Sequence, residues 1–239
     1  MITKLKKILR PFKNHLKYAG SKRKCPVCSS GARRFIEFGI KARADARCPF
    51  CRALERHRLF WLFIERKTSF QSKPPQKALH IAPEAILEKK LRPLIGEGYV
   101  TADLFSPDVD LKMDILDIQF PDNTFDFIYC SHVLEHVQDD RKAMREFHRV
   151  LTPNGIAILL VPITAKKTIE DPSIEDPKER LRLFGQEDHV RRYGPDYEAR
   201  LKEEGFTVET IHKEDFLSPE EIEIMGLTKA SGELYVCKK

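Results

Sequence analysis

Two closely spaced cysteine pairs constrain the fold of this chain more than any other feature. They occur as Cys25-Pro26-Val27-Cys28 and Cys48-Pro49-Phe50-Cys51, with nineteen residues between them. Each pair predicts a tight turn that directs two thiolates to one point, and two such turns supply the four soft ligands of a closed tetrahedral Zn²⁺ site. A closed site leaves no position for a reacting water, so we expect a structural zinc ribbon with a connecting helix at residues 25–67. Free dithiols or an iron–sulfur site are the alternatives.

The other cysteines, Cys130 and Cys237, lie in apolar strand contexts and are expected to be buried thiols. The N-terminus lacks the apolar core and small-residue cleavage site of a secretory signal, which favours a reducing, cytoplasmic compartment without disulfides. The longest clean apolar run covers only residues 59–64. Because a membrane span needs about 20 apolar residues, we expect no transmembrane helix.

Charge divides the chain into two parts. Residues 1–67 carry 19 Lys and Arg against 4 Asp and Glu, a net charge of +15, whereas the remainder carries −9. A basic part usually contacts phosphate in nucleic acid or anionic lipid, and the acidic remainder argues against a protein that binds nucleic acid over its whole surface. Basic side chains that serve only solubility are the alternative.

Residues 1–24 form a basic amphipathic N-terminal segment. They contain nine Lys and Arg and no acid, and apolar residues recur at helical spacing from Ile2 to Leu16. This pattern is typical of a helix that lies on an anionic membrane surface or binds phosphate, and it predicts a peripheral contact with the inner membrane surface. A solvated N-terminal arm has the same composition.

After a linker at residues 68–77, short apolar strands alternate with helices. Strands are predicted at residues 78–82, 99–103, 109–113, 125–130 and 156–161, and helices at residues 84–94 and 141–151. A charged insertion at residues 164–180 precedes a helix, a strand, a short helix capped by Ser218, and a last strand at residues 232–237. This order predicts an open α/β sheet.

Acidic side chains follow two of the predicted strands. In an open parallel sheet, ligands bind beyond the carboxyl ends of the strands. Asp103 ends the second strand, where its carboxylate can accept both ribose hydroxyls of a nucleoside cofactor. Asp114 and Ile115 follow the third strand and offer an acceptor for an adenine amino group and an apolar wall for its ring. Either aspartate alone also fits a helix cap or a turn.

Two stretches carry a family resemblance. Residues 125–137, Phe-Asp-Phe-Ile-Tyr-Cys-Ser-His-Val-Leu-Glu-His-Val, and residues 149–155, Arg-Val-Leu-Thr-Pro-Asn-Gly, resemble the class I S-adenosylmethionine-dependent methyltransferases, especially their type 11 branch. The likeness covers about residues 77–162. The whole chain also resembles bacterial proteins that combine a CPxC/CPxC ribbon, an E-R-H-R helix (here residues 55–58) and such a domain.

The resemblance implies a Rossmann-like, seven-stranded methyltransferase sheet over residues 68–239, with the last strand antiparallel. It implies S-adenosylmethionine as the cofactor, with Asp103 at the ribose and Asp114 and Ile115 at the adenine. Ser131 and His132 would lie beside the methionine moiety.

The first strand–helix turn departs from the family pattern. His80-Ile81-Ala82-Pro83-Glu84 stands where the family has an acidic residue and a glycine-rich turn, and it contains no glycine. Because glycine lets the backbone approach a cofactor closely, its absence reshapes the pocket or weakens binding. Pro83 would fix the turn beside Ala82. Glu84 either meets the ammonium group of the methionine moiety or caps the next helix.

Three histidines are candidate catalytic residues. Methyl transfer needs orientation and, for some acceptors, the removal of a proton, which histidine can accept near neutral pH. His132 and His136 follow the fourth strand one turn apart, so both can share a face, and His189 lies in a later polar loop. A core or capping histidine is the alternative for each.

That later loop, residues 184–194, is where this fold places an acceptor-specific lid. Its candidate substrate-binding residues are Gln186, Arg191, Arg192 and Tyr193, since paired arginines suit a carboxylate or phosphate on the acceptor. Solvated loop charges would give the same pattern.

Together these features favour an S-adenosylmethionine-dependent methyltransferase that acts on a small-molecule or surface-polysaccharide-type acceptor. An RNA methyltransferase whose basic ribbon grips phosphates is an alternative, although the ribbon has little aromatic interleaving suited to stacking bases. A non-catalytic cofactor-binding protein is a third, because the first motif is degenerate. Nucleic acid is the less expected partner.

Overall fold

The computed structural model describes residues 15–40 and 42–239, which divide into two compact units. The first unit contains the described part of residues 1–73 together with residues 85–90 and 212–232. The second contains residues 74–84, 91–211 and 233–239. The boundary predicted between residues 67 and 68 differs from this division, because the chain returns to the first unit shortly before its last strand.

Two antiparallel strand pairs open the first unit. β1 (Ala19–Lys24) pairs with β2 (Gly31–Ala32), and β3 (Ile36–Phe38) pairs with β4 (Arg43–Arg47). The predicted amphipathic segment therefore ends in a strand, which pairs with β2 in an irregular register. Residues 1–14 of that segment lie outside the described residues, so their membrane contact stays a prediction.

Each cysteine pair occupies a turn that follows a strand. The backbone N–H of Cys25 donates to the Ser30 carbonyl at 3.0 Å, and that of Cys48 donates to the Ala53 carbonyl at 2.9 Å. Because both turns are closed by backbone bonds, the cysteine side chains are directed inward by the chain itself.

Helix α1 (Glu55–Lys67) supplies the longest run of buried residues in the first unit, residues 57–64. Its first polar residues are buried and paired: Glu55 accepts two hydrogen bonds from Arg43, at 3.1 and 3.2 Å, and His57 accepts the backbone N–H of Leu54 at 3.1 Å. Arg58 is fully buried and donates to three backbone carbonyls. The E-R-H-R sequence therefore starts the helix and fixes its surroundings.

The sheet of the second unit has seven strands. The strands of the unit are β5 (Ala78–Ile81), β6 (Tyr99–Asp103), β7 (Leu111–Lys112), β8 (Phe125–Ser131), β9 (Leu151–Leu160), the separate pair β10 (Ile169–Glu170) and β11 (Arg191–Arg192), β12 (Thr207–Ile211) and β13 (Leu234–Lys238). The sheet order is β7-β6-β5-β8-β9-β13-β12, and β13 runs antiparallel to both neighbours. This confirms the predicted Rossmann-like seven-stranded sheet with an antiparallel last strand.

In the described residues after α1, the α-helices are α2 (Ala85–Ile95), α3 (Asp140–Val150), α4 (Pro177–Phe184), α5 (Tyr197–Glu203) and α6 (Pro219–Ile224). The helix predicted at residues 141–151 is confirmed as α3, whose first turn is capped by Asp139 through the N–H of Lys142 at 2.9 Å. Ser218 caps α6 as predicted. In the described part of the chain, no helix is both long enough and apolar enough to cross a membrane.

Strand order also decides where a ligand can bind. β5 lies between β6 and β8, so the chain goes to one side of β5 first and then crosses to the other. At such a switch point, the loops after two neighbouring strands run to opposite sides. They open a crevice at the carboxyl ends of those strands. The turn after β5 and the residues that end β6 and β8 border this crevice.

Candidate functional site

The four cysteines of the first unit form one cluster. The Sγ atoms of Cys25 and Cys51 are 3.6 Å apart, and those of Cys28 and Cys48 are 3.8 Å apart. Thiolates that share one tetrahedral ion, with Zn–S bonds near 2.3 Å, lie about 3.8 Å from one another. The cluster therefore fits Zn²⁺, and four protein ligands leave no position for substrate.

A buried cation lies near this cluster. The guanidinium of Arg58 packs over the ring of Phe35 at 4.4 Å and donates to the carbonyls of Ala46 and Ala53, both at 2.9 Å. Burial lowers the pKa of Arg58, while charges on Cys25, Glu55 and other cysteines oppose that shift. A four-thiolate zinc site carries net negative charge, so Arg58 would offset part of it.

In the second unit, the turn after β5 adopts a conformation that glycine usually supplies. Ala82 has φ of +46°, in the left-handed region. Its N–H donates to the Ala102 carbonyl at 2.8 Å, which continues the pairing with β6 past the end of the strand. The family's tight turn is therefore present, with alanine bearing the strain that glycine would avoid.

Glu84 turns toward the sheet. Although it occupies the N-cap position of α2, its side chain makes no capping hydrogen bond, and its Oε2 lies 3.5 Å from Nε2 of His80. His80 is buried, and its Nδ1 lies 2.5 Å from the hydroxyl of Tyr99. Glu84 therefore occupies the cap position without a capping side-chain hydrogen bond, and its contact with the cofactor's ammonium group stays a prediction.

Asp103 ends β6 with one carboxylate oxygen engaged. Its Oδ1 accepts the backbone N–H groups of Phe105 and Ser106, both at 2.7 Å, which fixes the loop that follows. Among the described residues no hydrogen bond to Oδ2 is made, so this oxygen remains for a ligand. The same loop exposes Phe105, an apolar residue that sequence reasoning did not select.

The two residues predicted at the adenine have different environments. Asp114 is exposed and accepts the N–H of Leu116 at 2.9 Å, as a turn residue does. Ile115 is only 6% exposed and packs in the core of the sheet, so it offers little surface to a ring. Half-buried Leu116 lies beside both.

The end of β8 presents Ser131 and His132. Ser131 is buried, and its Oγ has no hydrogen-bond partner among the described residues. His132 has φ of +57°, and its Nδ1 lies 3.3 Å from Oε1 of Glu135. The turn thus orients the His132 ring against a buried carboxylate.

Three further side chains gather next to this turn. Glu135 and His136 belong to the short helical turn Leu134–His136, and His189 approaches from the loop before β11. One ligand-type atom from each lies within 4.8 Å of the other two. The rings of His136 and His189 are nearly perpendicular, at 89°, with centroids 4.6 Å apart. Burial and the neighbouring His136 lower the pKa of His189.

Two of the predicted acceptor-binding residues are structural. Arg191 is 3% exposed, and its guanidinium donates to the carbonyls of Leu134, Val137 and Gln138. Tyr193 is fully buried and donates to Asp140 at 2.5 Å. The polar atoms of both residues thus hold the turn after β8 and the start of α3, and the acceptor contact predicted for them stays a prediction.

The other two residues of that set remain candidates. Gln186 is exposed, and its carbonyl accepts the backbone N–H of His189 at 3.4 Å. Arg192 is half-buried and donates to the side chain and carbonyl of Thr164. The exposed surface of the loop therefore comes from Gln186 and its neighbours rather than from the arginine pair.

Sequence reasoning did not find the ion-pair network beneath this loop. Asp140 accepts from Arg200 at 2.6 Å, and Glu170 accepts from Arg191 at 3.0 Å and from Arg200. The spacing of these residues along the chain carries no periodic signal, since they lie on α3, β10, β11 and α5. The pairing of β10 with β11 and the contact between α3 and α5 bring them together.

The crevice at the carboxyl ends of β5, β6 and β8 fits a nucleoside cofactor with an amino-acid end. Asp103 supplies a carboxylate oxygen at one strand, and Ser131 supplies a buried hydroxyl without a protein partner at another. The left-handed turn at Ala82 brings backbone between them. Asp103 and Ser131 are the residues that the sequence resemblance implies for S-adenosylmethionine, and their contact with it stays a prediction.

Comparison with known proteins agrees with this geometry. Residues 91–159 match the family described as "Methyltransferase domain". Ajmaline N-methyltransferase of Rauvolfia serpentina is 30% identical over 111 residues, 46% of this chain and 36% of that protein. The uncharacterized methyltransferase YcgJ of Bacillus subtilis is 39% identical over 74 residues, 31% of this chain and 28% of that protein. The matched segment thus spans about a third of these curated relatives.

A solved structure has the same fold. The S-adenosylmethionine-dependent methyltransferase from Mesorhizobium loti covers 76% of this chain and 98% of its own, with a TM-score of 0.51 and 14% identity. Fold, family match and strand-end residues agree. Residues 91–159 of the chain thus match the methyltransferase domain, the sheet around them has the fold of S-adenosylmethionine-dependent methyltransferases, and an N-terminal four-cysteine unit of the zinc-ribbon kind accompanies it.

Proposed function

We propose that this chain is an S-adenosylmethionine-dependent methyltransferase that acts on a small-molecule or glycan-type acceptor. The observation that carries the proposal is the set of groups at the carboxyl ends of β5, β6 and β8. Asp103 keeps one oxygen for the ribose hydroxyls, and Ser131 Oγ is buried without a protein partner at the position proposed for the methionine moiety. Glu84 is the candidate partner of the cofactor's ammonium group.

When bound, the cofactor supplies an electrophilic methyl group on a sulfonium. Asp103 and Ser131 would hold it at the carboxyl ends of β6 and β8, beside the turn that carries His132. His132 would then serve the acceptor, and its ring is oriented by Glu135 through the 3.3 Å contact at Nδ1. That contact leaves Nε2 to accept a hydrogen bond, and where necessary a proton, from the attacking group. Glu135 therefore acts through His132.

A small or glycan-type acceptor is supported by the loop at residues 184–194. With Arg191 and Tyr193 committed to the fold, the polar groups left for an acceptor are those of Gln186, Arg192 and the two histidines His136 and His189. These are neutral or partly exposed groups of the kind that hydrogen-bond hydroxyls and amides. The zinc ribbon has a structural role in this proposal.

The test is calorimetry of the full chain with S-adenosylmethionine and S-adenosylhomocysteine, followed by mass-spectrometric detection of methyl transfer to a panel of hydroxylated and aminated glycans and small molecules. We expect both cofactor forms to bind with one site per chain. Absence of binding to folded protein would overturn the proposal. If the cofactor binds and its methyl group is transferred only to RNA, then RNA replaces the small-molecule or glycan-type acceptor in the proposal.

A further inference from the structure

Glu135, His136 and His189 have the composition of a metal site. Two imidazoles and a carboxylate are a donor set that suits Zn²⁺ and related divalent transition metals, whereas Mg²⁺ and Ca²⁺ prefer oxygen ligands alone. The three ligand atoms lie within 4.8 Å of one another. Ligands that share one tetrahedral ion at about 2.1 Å are about 3.4 Å apart, so each pair of ligand atoms needs to approach by at most about 1.4 Å.

Two of the three ligand side chains are buried, and each has one polar atom without a hydrogen-bond partner among the described residues. Glu135 is 1% exposed and His189 is 5% exposed. Within the described residues, Oε2 of Glu135 and Nε2 of His189 have no hydrogen-bond partner. An unsatisfied buried polar group costs about 1–3 kcal/mol, and more when it is charged. One cation between these atoms would satisfy both.

One ring nitrogen of each histidine also has the kind of contact that metal-binding histidines make on the side away from the ion. A ligating histidine usually donates its second ring N–H to a carbonyl or carboxylate, which orients the ring. The backbone of Phe184 hydrogen-bonds the His189 ring, and because Nε2 has no partner, Nδ1 makes that bond. Nδ1 of His136 lies 3.2 Å from Oδ2 of Asp188. Both Nε2 atoms therefore remain for an ion.

The segments that carry the ligands are fixed to each other before any ion binds. The N–H of Val190 donates to the Glu135 carbonyl at 2.9 Å. Arg191 donates to the carbonyls of Leu134, Val137 and Gln138, which surround the turn. The ring centroids of the two histidines, 4.6 Å apart, match the roughly 4.5–5.2 Å expected for imidazoles that share one ion.

We propose that Glu135, His136 and His189 bind one divalent transition-metal ion, Zn²⁺ by preference, in a second metal site distinct from the cysteine cluster. Three protein ligands leave a coordination position open, unlike the closed four-cysteine site. Binding of the ion does not depend on methyl transfer. The use of the open position to hold an acceptor oxygen or nitrogen beside His132 does rest on the proposed function.

Metal content of the full chain tests the site directly. After dialysis against Zn²⁺ and then metal-free buffer, we expect about two zinc ions per chain by mass spectrometry. Glu135→Gln and His189→Gln should each reduce this to about one, and the control His212→Gln, which changes a histidine outside the cluster, should keep two. One zinc ion in the unaltered chain would overturn the proposal, as would two in Glu135→Gln.

Cobalt distinguishes the two sites without any substitution. Co²⁺ added to the zinc-loaded chain should displace zinc first from the more open site. The absorption spectrum should then show d–d bands without thiolate charge-transfer bands. Asp188→Asn should weaken this Co²⁺ binding about 10- to 100-fold, because it removes the partner of a ligating histidine. If the unaltered chain gives only spectra of the thiolate type, the site is refuted. That result does not depend on whether any variant folds.

Calorimetry with S-adenosylhomocysteine on the same samples separates the two proposals. Loss of the ion in Glu135→Gln with cofactor binding retained supports the metal site. If instead the unaltered chain binds the cofactor while holding only the cysteine-bound zinc, the metal site is refuted and the proposed function stays intact.

Discussion

The guanidinium of Arg58 donates to the backbone carbonyl of Gly226 at 2.9 Å, although the two residues are 168 positions apart in the chain. Gly226 has φ of +61°, and a Cβ there would lie 3.1 Å from the ring of Phe35 and 3.3 Å from Arg58 Nη2. Glycine is thus required where the returning segment meets the buried arginine. The bond joins residues 212–232 to the ribbon within the first unit.

Arg58→Lys is expected to destabilise the first unit. A single ammonium group cannot replace a planar guanidinium that donates to three carbonyls, so at least one buried carbonyl loses its partner. We expect the free energy of unfolding to fall by about 2–4 kcal/mol, measured by urea denaturation. Arg34→Lys, at an exposed position, is the control and should change it by less than about 0.5 kcal/mol.

Cys48→Ser should remove one zinc ion per chain and unfold the first unit, because binding energy of a structural zinc is folding energy. Elemental analysis and limited proteolysis measure the two effects. Cys237→Ala, which changes a buried thiol of the sheet, should leave the zinc content unchanged. Stoichiometric iron, or a folded first unit without metal, would contradict this prediction.

Asp103→Asn should weaken S-adenosylhomocysteine binding while preserving the loop. The asparagine oxygen can still accept the N–H groups of Phe105 and Ser106, but the charge offered to the ribose is lost. We expect a loss of about 1.5–3 kcal/mol in binding free energy by calorimetry. Asp108→Asn on the same exposed loop is the matched control. Equal affinities for the two variants would remove Asp103 from the site.

Ala82→Gly should be tolerated in spite of the general cost of glycine. At φ of +46° the substitution removes strain of about 1–2 kcal/mol, which offsets the roughly 0.5–1 kcal/mol of added chain entropy. Thermal melts should therefore show unchanged or slightly higher stability, with cofactor affinity retained. Ala143→Gly, inside α3, should lose about 1 kcal/mol or more. A clear loss at position 82 would show that the turn is unstrained.

Arg191→Lys should act on stability. The variant leaves several carbonyls around the turn after β8 without a donor, and we expect about 2–4 kcal/mol of destabilisation in urea. Arg192→Lys, whose contacts are near the surface, should cost less than about 1 kcal/mol. If Arg191→Lys kept full stability but lost turnover, the original interpretation of Arg191 as an acceptor ligand would be restored.

The strands of the sheet could be predicted because burial on both faces leaves short runs that are mostly apolar, as at residues 78–81 and 125–131. The cysteine cluster could be predicted because its spacing is local. The role of Arg191 could not, since a charged loop has the same sequence pattern whether its side chains face water or bind backbone carbonyls. The return of residues 212–232 to the first unit could not be predicted either, because it depends on one glycine carbonyl and a distant arginine.

The first unit is built from segments that are far apart in the chain, and this has a consequence for protein synthesis. A ribosome releases Arg58 168 residues before Gly226, a delay of roughly 10–30 s at ordinary elongation rates. During that interval the cysteine turns are complete and can already capture zinc, while one carbonyl partner of the buried arginine has not been made. The unit whose metal ligands emerge first is thus among the last parts of the molecule to acquire its final hydrogen bonds.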